Sequence, residues 1–257
     1  MEHVIFPYKN DNVIEKREKI KDIPILRFFP VNGVKLPTII YYHGWSSNKN
    51  FQRFKASIYA LYGYHVIVPD SVNHGVRGAV DFEREDSLDS FFWQTILKSV
   101  KESSILLKGI RKFKETDKNR IGIAGSSMGG FIGSGIFVKN SDFKTFISFN
   151  GSCSWVETDN IYKKESNKFE NSDKYLEQIK KYDPLNNLNN LNNRPLLMIH
   201  GDVDTSVPLI GQKNFYTEAK KYYKDNKKIE LYEVPGVDHH ITINMVEKAI
   251  RWLKKYL

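Results

Sequence analysis

A single cysteine, Cys153, in 257 residues excludes an internal disulfide, so the core alone must hold the fold. Its place just beyond an apolar strand makes it a small buried hydrophobe. No apolar stretch approaches the roughly 20 residues that span a bilayer. Residues 1–8 lack the basic segment and apolar run of a secretory leader. The expectation is a soluble, cytoplasmic protein with no membrane partner. Acidic excess is missing too: 39 Lys and Arg stand against 30 Asp and Glu, a net charge of +9. The lysines are scattered along the chain, which reads as a solvated surface, and no nucleic-acid partner is expected. What is plentiful is apolar material, 40% of the residues, enough for one large domain spanning 1–257.

Short runs of β-branched and aromatic residues mark strands at 23–29, 38–42, 64–68, 121–124, 143–149, 194–199 and 229–234. The first belongs at a sheet edge, where its proline is tolerated, and residues 3–30 as a whole carry extended-looking patches. Asn32-Gly33 is a hairpin turn signal. Apolar residues at helical spacing mark 51–62, with Phe54, Ile58 and Leu61 on one face, then 86–114, 131–138 and 213–223. Thr242 caps a last helix carrying Ile243, Val246, Ile250 and Leu253. Strands that are apolar throughout, alternating with helices, predict an α/β fold: a mostly parallel, doubly wound sheet of about eight strands covered on both faces. Residues 152–193 break the alternation. Rich in Asn, Lys and Tyr, with a helical piece at 175–182 and an Asn-Leu run at 186–193, they read as a small cap or loop insertion over the strand ends.

Chemistry concentrates at strand ends. Gly125-Ser126-Ser127-Met128-Gly129 follows a buried strand and opens a helix, the G-x-S-x-G pattern in its strand–turn–helix context. A nucleophilic serine needs a tight turn, and the turn needs small neighbours two residues away on either side. The Met128 N–H is then left at a helix N-terminus, where it can face an oxyanion. Upstream, His43-Gly44-Trp45 ends another strand, and its loop can offer a second N–H, that of Trp45. Two later strands end in His200-Gly-Asp202-Val-Asp204 and in Pro235-Gly-Val-Asp-His239-His240. The order Ser…Asp…His is that of an α/β-hydrolase, and a parallel sheet brings all three loops to one edge. Residue chemistry leaves open which aspartate and which histidine take part. No metal or organic cofactor is called for. His43, the polar loop residues His74 and Arg77, and the insertion aromatics Trp155 and Tyr162 are candidates for lining a substrate pocket.

These motifs together resemble the α/β-hydrolase superfamily, near its small bacterial serine esterases and the prolyl-oligopeptidase and dienelactone-hydrolase-like branch. The resemblance rests on His43-Gly44, Gly125-x-Ser127-x-Gly129, His200-Gly-x-x-Asp204-x-x-Val207-Pro208 and Gly236-x-x-His239, and it covers the chain from about residue 25. It implies that Asp204, not Asp202, is the triad acid, that His239, not His240, is the base, and that Ser127 is the nucleophile. Cys153 lies outside the elbow, so a cysteine nucleophile is not implied, and no β-propeller accompanies the domain. The implied activity is cleavage of small or medium carboxylic esters through an acyl-enzyme. A peptidase or amidase shares the same triad, and a catalytically silent binding protein shares the scaffold. Oligomeric state, acyl chain length and alcohol are not written in these motifs.

Overall fold

Strands that are apolar on every residue can be buried only between two helical layers, and the chain folds that way. The computed structural model describes residues 10–84, 86–166 and 169–257. The extended patches expected at 3–9 and the leader reading of 1–8 lie outside the described residues. Eight strands form one sheet: β1 (Val13–Ile20), β2 (Ile23–Pro30), β3 (Leu36–Tyr42), β4 (His65–Pro69), β5 (Thr116–Ser126), β6 (Phe146–Phe149), β7 (Leu196–Gly201) and β8 (Ile229–Val234). Their order is β1-β2-β4-β3-β5-β6-β7-β8. β1 and β2 pair antiparallel, β2 runs antiparallel to β4, and every pair beyond that is parallel.

Alternation along each strand divides the core in two. Ile40 and Tyr42 of β3 join Ile123, Phe146 and Met198 under helices α2 (Ser87–Ile110), α3 (Met128–Lys139) and α6 (Leu209–Lys220). Ile39 and Tyr41 join Ala124, Ile147 and Leu197 on the opposite face, beneath α1 (Arg53–Leu61) and α7 (Ile243–Tyr256). Thr242 caps α7 by accepting the Met245 N–H.

Three local expectations are corrected. Asn32-Gly33 turns the chain but makes no hairpin, because β4 lies between β2 and β3; the hairpin is β1–β2, turning at Lys21-Asp22 with Lys21 at φ 51°. Helix α1 does not bury Phe54 and Leu61, which are 61% and 47% exposed. It packs through Ala56, Tyr59 and Ala60, whose two methyls let the helix approach the sheet closely. The Asn-Leu run at 186–193 is not a loop throughout, since 3₁₀ turns cover Pro184–Leu191 and bury Leu191. With α4 (Trp155–Ser166) and α5 (Leu176–Tyr182), they form the insertion between β6 and β7.

Candidate active site

The strand order reverses around β3, whose neighbours are β4 on one side and β5 on the other. Crevices form at such a switch point, beyond the carboxyl ends of the strands. Tyr42 of β3 stands in register with Gly125 of β5, so the loop 43–46 lies beside the turn 126–128. A Cβ built on Gly44 would sit 3.3 Å from the Cβ of Ser127.

That turn is backbone pressed against backbone. A Cβ on Gly125 would fall 2.1 Å from the Gly129 carbonyl oxygen, and one on Gly129 would fall 2.2 Å from the Tyr42 carbonyl oxygen. Only glycine fits either place. Between them Ser127 takes φ 54°, ψ −123°, a conformation that costs an L-residue about 1–3 kcal/mol. It is fastened there by its N–H, which donates to Phe149 O at 2.8 Å, and by its carbonyl, which accepts from Gly130 N–H at 2.7 Å. Met128 begins α3 directly behind it.

At the far side of the crevice, β7 and β8 run in register to Gly201 and Val234, and the loops that follow them touch. Asp204 Oδ2 accepts from His239 Nδ1 at 2.7 Å, while Oδ1 accepts the N–H groups of Ser206 (2.9 Å) and Val207 (2.8 Å). Burial pushes this carboxyl upward, but hydrogen bonds from His200, His239 and the Val207 N–H outweigh it and hold Asp204 far below the usual carboxylate range. With Nδ1 donating to Asp204, the neutral form of the His239 ring presents Nε2 as its acceptor. Asp202 faces elsewhere and accepts the Gly236 N–H. His240 is exposed.

Two residues that the motifs do not single out hold these loops together. Asn150, buried at the end of β6 with φ 46°, accepts from Gly201 N–H and donates to the His240 carbonyl, tying both loops to the strand beside the serine turn. Thr205 donates through its N–H and its hydroxyl to the Asp238 carboxylate, joining the Asp204 loop to the His239 loop. His200, fully buried, donates from Nε2 to Val207 O at 2.9 Å, with the same nitrogen 3.3 Å from Asp204. The spacing H-G-x-x-D already placed it four residues before the acid.

Ser127 and His239 line one cleft of about 590 Å³. Its other walls are Trp45 and Ser46, Leu88 and Phe92 of α2, Tyr162 and Phe169 of the insertion, and the segment Thr205–Pro208. The Tyr162 hydroxyl donates to Ser206 O at 3.0 Å, and its ring stacks on Phe169 at 4.7 Å, so the insertion closes one side. Insertion residues therefore do face the cleft, but Trp155 is not one of them: it is buried against Trp93 and donates to Ser134. Nor are His43, His74 and Arg77 among the lining residues. Arg77 is paired with Glu102 through two hydrogen bonds, and His74 is packed beneath Trp45 and Phe82. Cys153 is buried at the end of that core, where burial and the nearby Asp183 push its thiol far above the ordinary range.

Comparison with known proteins agrees with this architecture. The prolyl oligopeptidase family matches residues 106–257. Esterase YjfP of Escherichia coli is 28% identical over 254 residues, covering 95% of this chain and 99% of that protein. Among solved structures, TT1662 of Thermus thermophilus superposes with a TM-score of 0.81 at 18% identity, over 95% of this chain and 97% of that one. The acylaminoacyl peptidase of Pyrococcus horikoshii superposes with a TM-score of 0.70 at 22% identity over 97% of this chain, but only 42% of its own. Among the described residues no helix is long and apolar enough to cross a membrane.

Proposed function

The chain belongs to the prolyl oligopeptidase family and is a hydrolase, and on that premise we propose that it is a serine esterase acting on small or medium acyl esters. The observation that carries the reading is the Asp204–His239 pair at 2.7 Å on the same cleft as Ser127 at the strained turn. In this reading Ser127 Oγ attacks the ester carbonyl carbon while His239 Nε2 takes the hydroxyl proton. The carbonyl electron pair moves onto oxygen, facing the N–H groups of Met128 and Trp45. Collapse expels the alcohol, which leaves with the proton from His239, and an acyl-Ser127 ester remains. Water repeats the sequence, releasing the acid and restoring Ser127. Asp204 holds the imidazole in one tautomer and stabilises it when charged.

The lining favours an ester over a terminal residue of a peptide. Among the described residues, none that lines the cleft is Lys, Arg, Asp or Glu, so none of these side chains matches a terminal ammonium or carboxylate. The aromatic and aliphatic walls suit an uncharged acyl chain.

The test is a panel of p-nitrophenyl esters, acetate through laurate, beside amino-acid p-nitroanilides, on the wild type and on Ser127→Ala, Asp204→Asn and Asp202→Asn. Ester turnover is expected to vanish in Ser127→Ala and to fall by roughly a thousandfold or more in Asp204→Asn, which presents the wrong partner to His239 Nδ1. Asp202→Asn is expected to stay within a few-fold, since an amide oxygen also accepts the Gly236 N–H. Faster anilide cleavage would replace the esterase reading with a peptidase. Equal damage from the two aspartate variants would overturn the assignment of the acid.

A further inference from the structure

His43 stands beside the cleft without lining it, and its contacts define a task. Its ring is wholly buried. The Ser71 N–H donates to Nε2 at 3.0 Å, so Nε2 is unprotonated and Nδ1 carries the hydrogen. Nδ1 lies 2.8 Å from the Gly44 carbonyl oxygen and donates to it. That carbonyl belongs to the peptide joining Gly44 to Trp45. In a planar trans peptide the C=O and the following N–H point in opposite directions. Pinning the Gly44 oxygen therefore fixes the heading of the Trp45 N–H.

The brace is itself anchored. Ser71 follows Asp70, a buried carboxylate that accepts the Lys49 N–H, the Val76 N–H and the Lys49 ammonium. The His43 ring packs on His74 (5.2 Å between centroids), and His74 packs edge-on against Trp45 (5.0 Å). Just past Trp45, Ser46 takes φ 54°, a left-handed backbone value that a non-glycine residue rarely adopts.

We propose that His43 is a positioning residue: its Nδ1–H holds the Gly44–Trp45 peptide so that the Trp45 N–H faces the oxyanion formed at Ser127. The inference rests on the esterase reading for its substrate, but it concerns any attack by Ser127.

The experiment compares wild type with His43→Ala, His43→Asn and His43→Gln. An Asn amide reaches the place of Nδ1 and can donate to Gly44 O. The longer Gln amide reaches the place of Nε2, so it keeps the Ser71 contact and loses the Gly44 one. Two readouts are taken: kcat and KM on a short-chain p-nitrophenyl ester, and the second-order rate of Ser127 labelling by a fluorophosphonate, whose phosphoryl oxygen needs the same N–H groups. Loss of one misdirected oxyanion donor is worth about 10²-fold. His43→Ala and His43→Gln are expected to lose about 10- to 100-fold in kcat and in labelling rate, with KM changed less than about threefold. His43→Asn should recover most of the loss. Should His43→Ala not fold, the Asn and Gln pair still decides the matter. Gln equal to or better than Asn, or an Ala variant with wild-type rates, overturns the proposal. If the wild type cleaves no ester, the esterase reading fails alone, and the labelling rates still test His43.

Discussion

Ser127 combines a conformation costly to the fold with the part proposed for it in the chemistry. Its φ of 54° is imposed by contacts on both sides, the Phe149 carbonyl in front and the Gly130 N–H behind. Glycine visits such a conformation freely, so Ser127→Gly should remove the proposed nucleophile and relieve the strain together. A gain of about 1 kcal/mol corresponds to a rise in Tm of about 2–4 °C for a domain of this size. A thermal melt at neutral pH checks it, and a Tm at or below that of the wild type would show that the turn is not strained. The pattern G-x-S-x-G announced this serine, because the pattern is a steric rule about its neighbours. Asp204 was less visible: two aspartates stand two residues apart after β7, residue chemistry left both open and only the resemblance implied Asp204, and the folded loops turn it toward His239 and Asp202 toward the Gly236 N–H. Asn150 carried no sequence signal beyond an Asn-Gly pair at a strand end, since its partners lie 51 and 90 residues away.

Among the elements, the β5–α3 turn is where geometry leaves least freedom. Gly129 approaches the end of β3 so closely that a methyl group would overlap the Tyr42 carbonyl oxygen, and no side-chain rotation can relieve a clash with backbone. Gly129→Ala should therefore force α3 away from β3. The expected loss is several kcal/mol, about 3 or more by analogy with other severely strained substitutions, with a matching loss of Ser127 labelling. Gly63→Ala, whose added Cβ meets no heavy atom within 4 Å, should cost only its unfavourable φ of 92° and serves as the comparison in a urea titration. Element type was readable for β3 through β8 because continuous apolar runs flanked by Gly, Pro and Asn leave few other solutions. The face of α1 was not. Phe54, Ile58 and Leu61 have helical spacing, yet of the three only Ile58 packs against the core, beside Ala56, Tyr59 and Ala60. Pairing was equally hidden: the turn at Asn32-Gly33 is real, but β4, which begins 32 residues after Gly33, takes the place beside β2.

At the scale of the whole molecule, buried imidazoles make stability depend on pH, His65 and His43 foremost, with His74 lowered by burial in the same direction. His65 accepts from Arg27 Nε at 3.1 Å and donates to Thr116, with Arg27 also bound to the buried Glu115. Burial, then the Arg27 charge, lowers His65 to about 3. His43 is lowered to about 4, by burial first and then by His74. Both values lie below the roughly 6.5 of an unfolded histidine. Between about pH 6.5 and pH 4 the unfolded chain thus binds protons that the folded one refuses, and stability falls as pH falls. Each unit of difference is worth about 1.4 kcal/mol per group, so the window should remove several kcal/mol in all. Urea midpoints measured from pH 7 to pH 4.5 should decline steadily, and His65→Gln, whose amide still accepts from Arg27, should flatten the decline. A midpoint constant across that range would mean that both histidines titrate normally in the folded state.

Taken by itself, the sequence determined the class of fold, the kind of elements, the serine at its turn and the loops that carry its proposed partners. Each of these follows from local rules, namely the period of the apolar residues, the sterics of glycine and the residues that end strands. Only the tertiary structure decided that Phe169 joins Tyr162 in walling the cleft while Trp155 does not, and that His43 grips a peptide rather than lining the cleft. Those outcomes depend on strand order and register, which bring together residues tens of positions apart, and no local pattern encodes that distance.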